Sequence, residues 1–380
     1  SPTTGKEAPA LAKTDQEFLD LQEHDNPIVA AAAMARLGTR STILETRFGA
    51  LIDTANACGG KLPIPLRYWG AATGRWSGDM GLNLQNLPRV NPSKPAVSDV
   101  LRLSLQAPPG HQIVVVDLSG IELRMNHFLW KVPSSMALFQ ASPDKADLYK
   151  DFASTLYDVP LEEVTKSMRQ IGKIAHLGLG YSSGPSTFQR IAKMMGGVEL
   201  DDGEAVSIVG KWREEYQPIV QGWTTCQGAV WAMASGREIP IDPWGLCRTG
   251  KDCIHLPKGV LRYPELRQEW SDKTQRQEWV YGKGRNKSKI YGGLVVENLC
   301  QALSRTVMAD VILAFARTPL GQRYPLAHCV HDEVVYVVRD DDAEAVLAAV
   351  SQLMRTPPSW FPALITWSEG SYARRYGLAK

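Results

Sequence analysis

Residues 327–338 read AHCVHDEVVYVV, a run whose apolar and β-branched content predicts a buried strand. Its middle nevertheless carries His331, Asp332 and Glu333 side by side. Burying an ionised carboxylate without a partner costs several kcal/mol or shifts its pKa until it is neutral. Two interpretations follow: the acids lie at an exposed turn between two strands, or a positively charged group meets them.

A second carboxylate ends another predicted strand. The β-branched run 113–116 leads into Asp117, and a helical pattern begins near Gly120. Taken alone, Asp117 or Ser119 fits an N-cap of that helix as well as it fits a functional site. If Asp117 and Asp332 come within about 5 Å, they repel by roughly 3 kcal/mol at an effective dielectric near 20. Divalent cations remove that penalty, and two metal ions between paired acids recur in phosphoryl transfer.

Residues 167–184, SMRQIGKIAHLGLGYSSG, predict a helix with a cationic face. Arg169, Lys173, Leu177 and Tyr181 recur every four residues, so they share one side of a helix. Such a face could bind a triphosphate at one end and a base at the other. An ordinary amphipathic surface helix fits this segment equally well. Gly172, Gly178 and Gly180 would each cost about 1 kcal/mol in a helix interior, which indicates close packing or movement.

Composition bounds the possibilities without deciding among them. The 380 residues are 44% hydrophobic and 22% charged with a net charge of +2, so two or three packed units are possible and bulk charge does not indicate nucleic-acid binding. No apolar run of about 18 residues and no signal-peptide core is visible, so no membrane span is predicted. Cys247, Cys253 and His255 lack a fourth zinc ligand, which favours reduced thiols in a cytosolic protein.

The coarse pattern predicts a mixed α+β chain. Helical spacing covers most of 14–57 and 146–232, and 292–316 predicts one long helix. Short strands are predicted within the Gly- and Pro-rich residues 236–265, and further strands in 327–338.

Three segments resemble, in order and spacing, motifs A, B and C of the family A DNA polymerases, the group of bacterial DNA polymerase I. They are DLSGIELR at 117–124, RQIGKIAHLGLGY at 169–181 and VHDE at 330–333. The resemblance continues through TGRWSGDMGLNLQNLPR and YGGLVVENLCQALSRTVMADVI and is strongest to bacteriophage members. It covers nearly the whole chain from about Thr3.

The resemblance implies an α+β, right-hand polymerase architecture with an antiparallel-sheet palm and helical fingers, the thumb being only partly present. The implied division is the end of the thumb at 1–40, palm at 41–126, fingers at 127–245 with the motif B helix at about 165–181, and palm again at 246–380. The chain is therefore expected to be a C-terminal polymerase portion that begins within the thumb.

The family's functional residues carry over by motif position. Asp117 and Asp332 match the acids that bind two Mg²⁺ ions, which Mn²⁺ can replace, and the Leu118 carbonyl would complete the ligand set. Glu333 matches the adjacent acid, and Glu122 the gate that excludes a ribose 2′-OH. Arg169 and Lys173 match the catalytic pair that grips phosphate, and Leu177, Tyr181 and Tyr149 match nucleotide contacts. The positions matching residues at the primer–template DNA are Arg75, Gln85, Asn86, Arg124, Gln301 and His331.

Three positions depart from the family pattern. Leu177 stands where most members have Phe or Tyr, which affects the expected rate and dideoxynucleotide tolerance. Ser182 replaces the Gly that usually follows the tyrosine, which affects the expected hinge at the helix end. Tyr149 stands where the polymerase I pattern has His, as in phage-like members.

The implied reaction is in-line attack of a primer 3′-OH on the α-phosphorus of a dNTP, with release of pyrophosphate. The expected partners are primer–template DNA and dNTPs, with no membrane, and the chain is expected to act as a monomer in phage DNA replication in the cytoplasm of a bacterial host. A single-subunit phage-type RNA polymerase, a metal nuclease and a catalytically inactive DNA-binding fragment are the alternatives. The intact set of acids and cations argues against the inactive fragment, and Glu122 and Glu333 argue against the RNA polymerase.

Overall fold

The computed structural model describes residue 18 and residues 21–38, 43–87 and 99–379. The chain divides into two compact units, residues 1–63 and residues 64–380. In the first unit, the predicted helical stretch is confirmed by two helices over 27–38 and 43–57. Its parts at 14–17, 19–20 and 39–42 lie outside the described residues. The predicted boundaries of thumb, palm and fingers stay predictions.

The helices of the described residues follow in chain order. They are α1 (Pro27–Gly38), α2 (Ile43–Ala57), α3 (Asp99–Leu103), α4 (Ile121–Leu129), α5 (Pro133–Ala141), α6 (Leu148–Tyr157), α7 (Lys166–Leu179), α8 (Pro185–Gly196), α9 (Asp202–Glu215), α10 (Gln217–Ser235), α11 (Gly292–Ala316), α12 (Pro319–Arg323) and α13 (Ala343–Arg355).

The strands of the same residues also follow in chain order. They are β1 (Leu66–Arg67), β2 (Ser77–Gly78), β3 (His111–Leu118), β4 (Arg248–Gly250), β5 (Cys253–Leu256), β6 (Gly259–Arg262), β7 (Arg267–Ser271), β8 (Arg276–Tyr281), β9 (Ser288–Lys289), β10 (Leu326–Val330), β11 (Glu333–Arg339) and β12 (Ser368–Ala373).

The central sheet has the order β10-β11-β3-β12, and each neighbouring pair is antiparallel. Its middle strand β3 carries the predicted β-branched run, and residues 113–116 are all buried. Such residues favour strands because their branched side chains pack well on a pleated surface. Helices α11 and α13 pack together, and α13 covers β3 and β12. The α+β prediction and its antiparallel sheet are thus confirmed by the architecture of the second unit.

A helical region connects α4 to α10 and supplies much of the core. Pro160 lies between α6 and α7, Pro185 begins α8, and residues 197–201 separate α8 from α9. The short strands predicted in 236–265 are confirmed as β4–β6, whereas the sheet β7–β8–β9 over 267–289 was not predicted. Helix α11 has the predicted bounds, 292–316.

Among the described residues, one helix is long and apolar enough to cross a membrane by length and composition alone. That helix is α11, with a mean hydropathy of 1.4 in its most apolar 18-residue window, an exception to the expected absence of such a run. The helix nevertheless lies in the core, since 61% of that window is buried inside the fold. This is weak evidence for a membrane span, because buried core helices meet the same criteria.

Candidate active site

The turn between β10 and β11 brings the two aspartates to the same end of the central sheet. Glu333 is the register partner of Asp117, and the Leu118 amide donates to the Asp332 carbonyl over 2.9 Å. His331 occupies the turn with φ 54°, a left-handed conformation that tight turns require. The first interpretation of the sequence is therefore confirmed for His331, which is exposed, and for Asp332, which is half-buried.

Glu333 differs from its neighbours because it is buried, with 2% exposure. The Tyr376 hydroxyl donates to its carboxylate over 2.5 Å. Burial, reinforced by the negative charge of Glu333, raises the pKa of Tyr376, so the phenol remains a donor. The Arg102 guanidinium lies 4.6 Å from the centre of the Tyr376 ring. Tyr376 could not be predicted from sequence, because the contact joins residues 43 positions apart.

Arg75 is the cation that reaches the acidic turn. It forms an ion pair with Glu122 on α4. Burial lowers its pKa, while the negative charge of Asp332 opposes that shift, and Tyr181 and Glu297 also lie nearby. The guanidinium therefore lies within electrostatic reach of both the turn and the end of α7. The second interpretation of the sequence, that a positively charged group meets the acids, therefore also holds in part, because Arg75 lies close to Asp332.

Helix α7 presents the predicted cationic face. Thr165 caps its first turn by accepting from the Met168 amide, and Arg169 and Leu177 are exposed while Lys173 and Tyr181 are half-buried. The opposite face packs into the core through Ile171, Ile174 and Ala175, and His176 and Leu179 are also buried. Burial raises the pKa of Tyr181 well above its usual value. The shared face was predicted correctly for Arg169, Lys173 and Leu177, whereas Tyr181 lies two residues beyond Leu179, the last helical residue.

The glycines of this stretch are explained partly by close packing. A Cβ on Gly172 would lie 2.1 Å from the Tyr149 carbonyl oxygen, which α6 places against α7. A Cβ on Gly293, in the first turn of α11, would similarly lie 2.4 Å from the Tyr181 carbonyl oxygen. A Cβ on Gly178 would meet only ordinary van der Waals contacts. Close approach is thus required at Gly172, as one interpretation of the glycines held.

A cleft of about 260 Å³ separates the turn after β3 from α6 and α7. It is lined among others by Ser119, Gly120, Lys145, Asp147, Tyr149 and Arg169. The Arg169 Nε donates to Asp147 Oδ2 over 2.6 Å, and its guanidinium carbon lies 5.4 Å from the centre of the Tyr149 ring. Burial raises the pKa of Tyr149. Asp147 was not singled out from the sequence, although its place before a helical run is typical of an N-cap.

Two residues predicted to contact DNA are instead buried among protein groups. The Gln85 side chain is 7% exposed and donates to the Cys329 carbonyl over 2.9 Å. Arg124 is 4% exposed and donates to the carbonyls of Ser119, Ile365 and Pro143. Burial lowers its pKa to about 10. These side chains hold neighbouring segments of the protein together, and their predicted DNA contacts stay predictions.

The remaining predicted DNA contacts surround the site. Gln301 on α11 donates to Glu297 over 3.1 Å and accepts from the Thr73 hydroxyl over 3.2 Å. One helical turn further, Arg305 is buried with its guanidinium carbon within 5.0 Å of the ring centres of Tyr68, Trp69 and Trp76. Asn86 is exposed.

The donor set at the acidic turn fits a hard cation that also binds substrate. Within the described ranges, no three His, Cys, Asp or Glu side chains lie close enough to hold a metal by themselves. Two carboxylates with a backbone carbonyl match Mg²⁺, which retains waters and binds phosphate oxygens. The zinc alternative has only Cys253 and His255 in contact, at 3.6 Å, while Cys247 is buried as a free thiol.

Comparisons with known proteins show what the chain is similar to. The family model for DNA polymerase family A matches residues 2–227. The DNA polymerase of Bacillus phage SP02 is 27% identical over 342 residues, which are 80% of this chain and 51% of that protein. DNA polymerase I of Pseudomonas aeruginosa is 30% identical over 359 residues, which are 93% of this chain and 34% of that protein.

The fold has a solved counterpart. The POL domain of Pol1 from M. smegmatis, in complex with DNA primer-template and dNTP, matches with a TM-score of 0.70 and 18% identity, over 100% of this chain and 58% of that one. The chain thus spans about half or less of the length of these two curated relatives. The residues that match the family model, 2–227, are more than half of the 380-residue chain. The chain therefore belongs to DNA polymerase family A.

Proposed function

We propose that this chain is the polymerase portion of a template-directed DNA polymerase that adds dNTPs to a primer 3′ end. The observation that carries the proposal is the pairing of β3 with β11. It brings Asp117 and Asp332 together from positions more than 200 residues apart, within reach of a helix with two cations on its accessible face. Neither structural packing nor a helix cap requires that combination.

Asp117, Asp332 and the Leu118 carbonyl would hold two Mg²⁺ ions, for which Mn²⁺ can substitute. When bound, such ions activate the attacking hydroxyl and neutralise charge on the transferring phosphate. Arg169 and Lys173 would bind the β- and γ-phosphates and stabilise charge on the departing pyrophosphate. Lys173 is also suited to donate a proton to that leaving group.

Selection of the nucleotide would fall to the other end of the same helix. Leu177 and Tyr181 would pack against the sugar and base, and Tyr149 would line the phosphate side of the cleft. Glu122, fixed by Arg75, would crowd a ribose 2′-OH and so favour deoxynucleotides. Movement of α7 on nucleotide binding would add selection by induced fit.

In this proposal, the central sheet is the palm, the helices α5–α10 are the fingers, and the first unit contains the end of a thumb. Arg75, Asn86, Gln301 and His331 would contact the primer–template duplex, mainly through its shape and backbone. The relative from Bacillus phage SP02 supports a role in phage replication. The expected place of that role is the cytoplasm of a bacterial host. We expect the chain to act as a monomer.

The test is primer extension on a primed template with Mg²⁺ and either dNTPs or rNTPs. Asp332→Asn should abolish extension, because it removes a metal-binding charge while leaving a similar shape. Asp272→Asn, at the exposed tip between β7 and β8, is the matched control and should extend primers normally.

Three other results would each support an alternative function, and a fourth would contradict the proposal. Extension with rNTPs would indicate an RNA polymerase, and shortening of the primer would indicate a nuclease. Binding of primer–template without extension would indicate an inactive fragment. Extension that survives Asp332→Asn would contradict the proposed role of the acidic turn.

A further inference from the structure

The strongest unassigned feature near the site is Asp147, whose two carboxylate oxygens have different partners. Oδ1 accepts from the backbone amides of Tyr149 and Lys150, each over 3.1 Å, and so caps the N-terminus of α6. Oδ2 accepts from Arg169 Nε over 2.6 Å. Because the helix cap fixes the carboxylate, the carboxylate in turn fixes the position of the arginine.

The atom that Asp147 contacts matters for what Arg169 can still bind. A guanidinium has five N–H donors in a planar fork, and Nε contributes one of them. Occupation of Nε leaves the two terminal nitrogens, with four donors, to bind a phosphate. The Arg169 side chain is 45% exposed and lines the cleft. An exposed arginine otherwise loses rotamer entropy when it is held in one position.

Two further contacts join α6 to α7. Gly172 lies against the Tyr149 carbonyl with no room for a Cβ. His176 Nε2 lies 3.1 Å from the Leu148 carbonyl oxygen. The contacts of Arg169, Gly172 and His176 therefore follow one side of α7 for two turns, and all three meet the first residues of α6 or its cap. The start of α6 and the length of α7 form one packed unit.

We infer that Asp147 is a positioning residue, which holds the Arg169 side chain in the conformation that binds the nucleotide's phosphates. It would keep Arg169 in that conformation in every position that α7 adopts. This inference rests on the proposed function and deepens it, since it assigns Asp147 to binding of the triphosphate. Asp147 does not touch the substrate. It acts by reducing the number of arginine conformations that must be lost when the nucleotide binds.

The opposite hypothesis makes a different prediction. An acid in a triphosphate cleft could instead compete with phosphate for Arg169, and its removal would then strengthen nucleotide binding. The sign of the change in dNTP affinity therefore separates positioning from competition.

The experiment compares Asp147→Asn with the unchanged protein. Asparagine caps helices as well as aspartate does, so the fold and the start of α6 should be retained. We expect the KM for the correct dNTP to rise about tenfold, the effect of losing one charge-assisted hydrogen bond, with kcat and the Kd for primer–template within about twofold. The melting temperature should change little.

Two controls sharpen the result. Asp201→Asn changes the equivalent cap of α9, whose Oδ1 accepts from the Glu204 amide over 2.7 Å, and should leave the dNTP KM unchanged. In an Arg169→Gln background, Asp147→Asn should have no further effect beyond about twofold, because the two residues then no longer act as a pair. An independent effect of the same size in that background would overturn the inference, as would an unchanged or lowered KM in the single variant.

Calorimetric titration of dNTP into the protein bound to a primer with a dideoxy 3′ end separates this inference from the proposed function. If the unchanged protein binds dNTP but does not extend a normal primer, the proposed function fails. In that case the change in dNTP Kd caused by Asp147→Asn still decides the inference. If the unchanged protein neither binds dNTP nor extends primers, both fail.

Discussion

The acidic end of the central sheet and the cationic face of α7 are built by opposite means. Asp117 and Asp332 meet through β-pairing between distant segments, and the pairing register fixes their relation. Arg169 and Lys173 share a face through local helical periodicity, and packing against α6 fixes where that face lies. The acids are thus held by backbone hydrogen bonds, whereas the cations depend on side-chain packing. Substitutions should therefore disturb the two halves differently.

Gly172→Ala should have the largest effect on stability, because it separates α7 from α6. The added Cβ would lie 2.1 Å from a backbone oxygen that cannot rotate away. Overpacking of this kind should lower the free energy of unfolding by about 3 kcal/mol. Urea titration followed by circular dichroism measures the change.

The matched control is Gly210→Ala in α9, where a Cβ would meet nothing within 4 Å. Alanine there should leave the protein as stable or raise its stability by about 0.5–1 kcal/mol. A Gly172→Ala protein as stable as this control would show that the contact between α6 and α7 is not rigid.

Acidification should lower the free energy of unfolding through His176, a buried residue of α7. Burial lowers its pKa to about 4, although its hydrogen bond to the Leu148 carbonyl and the charge of Asp147 oppose the shift. The unfolded chain, with a histidine pKa near 6.5, binds the proton first, so stability is complete above pH 6.5 and falls as the pH drops towards 4. Between pH 7.5 and pH 5 the loss from this residue should be about 2 kcal/mol.

His176→Gln is the variant for this measurement. Glutamine keeps an amide donor for the Leu148 carbonyl but does not titrate, so the difference in unfolding free energy between pH 7.5 and pH 5 should shrink by that amount. Other buried histidines, such as His328 in β10, whose pKa is also lowered to about 4, keep their own contributions. An identical pH dependence in the two proteins would contradict the burial of a neutral His176.

Tyr376→Phe should have the smallest effect on stability, and it concerns a contact of the acidic end of the central sheet. It removes the hydroxyl that donates to Glu333 and leaves the ring beside Arg102 in place. Loss of a hydrogen bond to a charged group should cost about 1.5 kcal/mol of unfolding free energy. Tyr372→Phe on β12, where the side chain is 43% exposed, should change stability by less than about 0.5 kcal/mol. Equal effects of the two substitutions would show that the Glu333 contact contributes nothing.

The parts that could be predicted are those encoded locally. The bounds of α11, the strand at 113–116 and the shared face of α7 each follow from side-chain periodicity within one segment. Contacts between distant segments were not accessible, so the Tyr376 contact and the burial of Gln85 and Arg124 could not be predicted from the sequence. The sheet β7–β8–β9 was missed because its strands are mostly polar, which hides the alternation that marks a strand. The motif resemblance predicted which acids meet, but periodicity alone could not.

The register of β3 against β11 also ties activity to correct folding. Side chains alternate between the two faces of a strand, so a slip of one residue would turn Asp117 to the opposite face. A molecule that is compact but mispaired would keep much of its secondary structure and still lack the acid pair. Specific activity would therefore measure the fraction of correctly paired molecules in a preparation. Helix and strand content measured by spectroscopy would not distinguish them from mispaired molecules. For the same reason, a single-residue insertion in either strand should inactivate the protein, whereas one at the tip between β7 and β8 should be tolerated.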